Sequence, residues 1–163
     1  MRHLITLLCT LLLALPLTAQ TLTGTWENGG KMQEDGLDAI VLAQLILKAD
    51  GTYDQNLTME LTMKADETIT FHTTLYFDVP GRWTRNGDLL SLAPVARNVK
   101  AEIVKTDMPD LLRDLLLSEI QKETMATLKA PSKLLIVSLT SSILAVRDAD
   151  DPADEVDEYV RAD

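Results

Sequence analysis

The sequence predicts a mainly β protein, an antiparallel barrel of eight to ten strands with one amphipathic helix, about residues 107–130, before the closing strands. Three observations predict it. From Trp26 to Lys105 apolar residues recur with period 2, turn dipeptides punctuate the runs, and near residue 106 the period changes to that of a helix. A long antiparallel meander leaves two exposed edges unless it closes on itself, and closure removes them.

The first 20 residues, MRHLITLLCTLLLALPLTAQ, stand apart. Arg2 and His3 precede an apolar run from Ile5 to Leu15, Pro16 breaks it, and Ala19 is small enough for cleavage. This is the pattern of a secretory signal peptide over 1–19, and the run falls short of the ~20 residues that a bilayer crossing needs. The expected mature domain is 20–163, exported to the periplasm or secreted, with no transmembrane segment after cleavage. Cys9 is the single cysteine and lies in that leader. The mature chain therefore has no disulfide, thiolate or Cys-metal chemistry available.

The mature domain carries 14 basic and 25 acidic residues. That balance excludes nucleic acid as a partner, because phosphate neutralisation needs clustered Lys and Arg. About 144 residues suffices for one domain with a single core, and a monomer is expected.

The strands follow in order. Gly24, Thr25 and Trp26 open the first, and ENGGKMQEDGL (27–37), polar and rich in glycine, reads as a loop at the open end. DAIVLAQLILK (38–48) is apolar on both faces, and the following Asp50-Gly51 makes it a hairpin strand rather than a helix. Tyr53, Leu57, Met59, Leu61 and Met63 share one face of the next strand. After a polar turn at 64–67, Ile69, Phe71, Leu75, Phe77 and Val79 repeat the pattern. In RWTRNGDLLSL, Asn86-Gly87 fits a type I′ turn, and Val95 to Lys105 supplies a further strand.

Asp107 suits an N-cap and Pro109 a first helical turn, and Leu112, Leu115, Leu116 and Ile120 follow helical spacing up to Pro131. KLLIVSL and ILAVRD form a hairpin around Thr140, Ser141 and Ser142, and Val156 to Arg161 closes the chain after an acidic loop.

Gly24-x-Trp26 on a first strand, DGTY, and GRW-x-x-NGD-x-L-x-L together resemble the lipocalin superfamily, most closely the small exported bacterial lipocalin-like domain proteins. The resemblance spans Leu22 to Arg161. It implies that Trp26 plugs the closed end of a barrel under an arginine from a late strand, Arg161 or Arg147, with Arg161 favoured for its place at the chain end. It also implies a small apolar ligand. No TDY-type second motif is present, and the helix precedes rather than follows the last strands.

Catalytic chemistry is not indicated. His72 is the one histidine outside the leader and sits among threonines, Ser138, Ser141 and Ser142 lack a nucleophile elbow, and DADDPADE lacks calcium-loop spacing. The expectation is a non-enzymatic protein without metal or cofactor. Leu57, Met59, Leu61, Met63, Ile69, Phe71, Leu75 and Phe77 are the candidate barrel-interior ligand contacts, since methionines suit a malleable apolar pocket. The helix either packs plainly or lids that interior. The alternative is a module that binds another exported protein through rim loops, with a solid core.

Overall fold

The computed structural model describes residues 21–34, 36–64, 68–151, 153 and 155–162. The proposed leader and the turn at 65–67 lie outside them. Nine strands form one antiparallel sheet: β1 (Gly24–Glu34), β2 (Leu37–Leu47), β3 (Thr52–Lys64), β4 (Thr70–Asn86), β5 (Leu89–Pro94), β6 (Lys100–Thr106), β7 (Ser132–Leu139), β8 (Ile143–Asp148) and β9 (Asp157–Arg161). Their lateral order is β3-β2-β1-β9-β8-β7-β5-β4, and β4 pairs back onto β3. Eight strands therefore close a barrel, and β6 is an additional strand on the free part of β4.

The barrel is lopsided because its strands differ in length. β1 to β4 run 11 to 17 residues, whereas β5, β8 and β9 have 5 or 6. The 17-residue β4 joins two runs that the sequence separates at Pro80 and Gly81. One edge of β4 pairs with β6 over Thr73–Asp78 and with β5 over Gly81–Asn86, so Pro80 sits at the fork. The Pro80 carbonyl accepts from Val95 N (2.8 Å), which places its missing N–H on the same edge, between two ladders. Gly81 is required for space: a Cβ there would collide with the Tyr53 ring and the Ala93 carbonyl.

Three local readings change. Residues 27–34 are strand rather than loop, since β1 and β2 pair without interruption from Gly24↔Leu47 to Glu34↔Leu37. Only Gly87 has positive φ in the β4–β5 turn, which is the II′ pattern with Gly87 and Asp88 central, because type I′ needs two such residues. Val95 does not open a strand; a 3₁₀ turn at Ala96–Asn98 precedes β6. The β2–β3 loop, by contrast, is the three-residue kind, with Gly51 at φ 80°.

The helical segment starts at α1 (Asp110–Glu119), passes through a π-helical stretch (Ile120–Thr124) and ends with a turn at Met125–Leu128. Pro109 is its N-cap without a side-chain bond. Asp107 instead continues the β6 ladder: its carboxylate accepts from His72 N (2.7 Å) and its N–H donates to the His72 carbonyl (3.2 Å).

Two apolar clusters fill the molecule. The first joins Trp26, Leu45, Leu47, Tyr53, Leu90, Leu92, Ile136, Leu144 and Val146 at the end where β1 meets β9. The second joins Ala39, Leu61, Leu75, Phe77, Val79 and Val99 to Ile120 and Met125 of the helix.

Candidate functional site

At the closed end, Trp26 is fully buried and its indole N–H donates to the Leu22 carbonyl (2.8 Å). Arg161 lies directly across from it in the β1–β9 register, with its guanidinium carbon 4.3 Å from the ring centroid. The same guanidinium donates to the Thr23 (3.2 Å) and Thr21 (2.7 Å) carbonyls. The cation thus covers the indole and ties down the segment that leads into β1. Gly24 permits this, because a Cβ there would strike the guanidinium. Arg147 lies on β8 and faces Leu135 of β7. With Tyr53, Leu90 and Leu144 at 0–1% exposure, this half is packed solid around the tryptophan.

The other half holds most of the candidate interior residues. Cross-strand pairs place Leu57 opposite Phe77, Met59 opposite Leu75, and Met63 opposite Phe71, all on the face that looks inward. Leu61, Leu75 and Phe77 are buried, while Leu57, Met59, Met63 and Phe71 keep partial exposure. The helix covers this face through Ile120 and Met125, with Leu116 and Leu128 at the margin. Ile69 departs from the set: it precedes β4 and is 45% exposed, because the strand begins one residue later.

The helical stripe differs from the one that spacing selects. Leu116, Ile120, Met125 and Leu128 face the barrel, whereas Leu111 (73% exposed), Leu112 (38%) and Leu115 (56%) face outward. The π-helical stretch from Ile120 to Thr124 widens the turn and shifts the residues after it around the axis. The five-residue step from Ile120 to Met125 keeps both on the buried side.

Three grooves open on the wall of long strands. One of about 350 Å³ lies on the outer face, with Gln44, Asn56, Thr58, Tyr76 and Leu42 around it. Its amides are held in pairs: Gln44 Nε2 donates to Glu27 (2.9 Å), and the Tyr76 hydroxyl donates to Asn56 Oδ1 (3.0 Å). A second, about 310 Å³, surrounds His72, whose Nδ1 lies 3.2 Å from the Thr62 hydroxyl. The third, about 270 Å³, opens between β1 and β9, beside Gly29, Gly30, Val41, Ala43 and Tyr159. It adjoins the helix-covered half, because Val41 and Ala43 pair with Met59 and Leu57.

Burial pushes the Tyr53 and Tyr159 phenols up to about 12, as the charged phenolate is poorly solvated there. Among the described residues, His, Cys, Asp and Glu do not gather into a group of three that could hold a metal ion. No helix among them is long and apolar enough to cross a membrane. Ser138, Ser141 and Ser142 are exposed on the β7–β8 hairpin.

The closed eight-strand antiparallel barrel, with a first-strand tryptophan under a last-strand arginine, has the architecture that a lipocalin-like barrel implies. No protein-family model matches the chain, and no curated protein matches it in sequence.

Sequence reasoning missed the β1–β9 gap. Its signal was the Gly29-Gly30 pair inside a polar segment, which reads equally well as a loop.

Proposed function

We propose that this chain is an exported, non-enzymatic binding protein that holds a small apolar molecule between the inner face of β3 and β4 and the helix. The observation that carries this reading is the division of the interior. The tryptophan half is packed solid, whereas Leu57, Met59, Met63 and Phe71 form an inward apolar face that the helix covers incompletely. Methionines adapt to ligand shape at low cost, and a helix interrupted by a π stretch is suited to shift as a lid. The test is binding of N-phenyl-1-naphthylamine, an uncharged apolar dye, together with native mass spectrometry of protein purified from its own host. Dye fluorescence should rise on binding, and Met59→Gln should weaken it several-fold while the near-ultraviolet signal of Trp26 persists. Absence of both dye binding and a co-purified mass overturns the reading.

A second reading, a module that binds another exported protein, draws on Leu111, Leu112 and Leu115, which give the helix an apolar outer side. Loss of partner capture in Leu111→Ser/Leu115→Ser, with dye binding intact, would favour it.

A further inference from the structure

We propose that the gap between β1 and β9 is a slot for an extended, basic segment of another polypeptide, which pairs with both strands through its backbone. β1 bonds to β2 along its full length, yet on its other edge it pairs with β9 only at Trp26↔Arg161 and Glu27↔Val160. Past Glu27, no described strand lies against that edge, although β1 continues to Glu34.

The alternation of an antiparallel ladder says which groups face the gap. Ala162 N donates to the Thr25 carbonyl (2.9 Å), so Thr25, Glu27, Gly29, Lys31 and Gln33 direct their N–H and C=O toward β9. On β9, Arg161 N donates to Ser142 on the β8 side (2.8 Å), so Glu158 faces β1 across the gap. Gly29, Lys31 and Gln33 thus present backbone donors and acceptors on one side and Glu158 on the other. An inserted strand would satisfy both rows and extend the sheet.

The side chains leave room for it. A Cβ on Gly30 would meet nothing within 4 Å, and the cleft beneath has Val41 and Ala43 as an apolar floor. Alternate residues of the incoming strand would settle on that floor. Charge selects the occupant: Asp157 lines the cleft, Glu158 is its neighbour on β9, β1 carries Lys31 as its one basic residue, and the chain as a whole carries a net charge of −10. That balance favours a lysine-bearing strand and opposes a second copy of this chain.

The experiment is amide hydrogen exchange by NMR with a synthetic nine-residue peptide that alternates valine with lysine and threonine. At saturation, exchange at Gly29, Lys31, Gln33 and Glu158 should slow about tenfold, while Gly30 and Met32, already bonded to β2, stay unchanged. A peptide with glutamate for lysine, and one N-methylated at alternate backbone nitrogens, should leave all of them unchanged. Lys31→Pro removes a gap-facing N–H without touching the β1–β2 ladder and should abolish the effect. The proposal is overturned by unaltered exchange at millimolar basic peptide or by equal slowing with the glutamate peptide. Slowing that follows protein concentration alone overturns it in favour of a second copy. Should Lys31→Pro fail to fold, the N-methylated peptide decides in its place. The slot adjoins the inner face of β3 and β4 but is read by backbone exchange on β1 and β9 rather than by dye binding, so each reading can fail without the other.

Discussion

The two halves of the barrel share strands and differ in how their interiors are filled. Around Trp26 the fill comes from β strands and from Leu22 just before β1, with Tyr53, Leu90, Leu144 and Val146 interlocked at 0–1% exposure. In the other half a helix supplies part of the core, and its contributors, Ile120 and Met125, are 5% and 9% exposed. Side chains fixed on hydrogen-bonded strands cannot yield when a neighbour is removed, whereas a helix held by apolar contacts can settle. The first half therefore serves as the anchor, and the second is where ligand-linked movement is expected.

The largest expected effect breaks the anchor. Trp26→Ala should cost about 3–5 kcal/mol in urea denaturation, and Met125→Ala about 2 kcal/mol, since the helix can close over the gap. Equal losses would end the distinction between the halves. Alkaline titration comes next. The Tyr53 phenol is raised from 10.0 to about 12 in the fold, so its contribution is complete below pH 10 and is lost as pH rises through 12. Tyr53→Phe should raise the alkaline unfolding midpoint, and the Tyr159 phenol, raised in the same direction by burial, should account for a further part that only the double variant removes. Arg161→Leu is expected to cost about 1–2 kcal/mol by losing the indole contact and the bonds to Thr21 and Thr23, and to red-shift Trp26 fluorescence. Smallest is Leu115→Ser on the outward side of the helix, within about 0.5 kcal/mol by thermal melting.

Which parts could be read from sequence follows from the same physics. β3 and the first part of β4 were legible because one face is apolar and the other wet, so period 2 survives in the residue order. β1 past Glu27 was not, because its identity as strand comes from seven pairings with β2 and not from its own polar, glycine-rich residues. Pro80 and Gly81 look like a break, and they are tolerated only because β4 changes neighbours there. The later part of the helix's buried stripe, Met125 and Leu128, was hidden by the π-helical stretch, which no spacing rule anticipates. For the candidate site, the alternating face from Leu57 to Phe77 was visible, but how completely the helix would cover it was a matter of tertiary packing.

The closing seam also bears on the order of folding. β9 is the last of the described strands, and it joins β1, so Arg161 reaches the carbonyl of Thr23 across 138 residues. The hairpins β1–β2, β2–β3 and β3–β4 need only nearby residues and can form early, but the ring stays open until residues 157–161 arrive. During synthesis, every earlier intermediate would carry a bare β1 edge and an uncovered indole. Barrel closure is therefore a checkpoint on the arrival of β9: a product that stops after Val156 would remain an open, association-prone sheet.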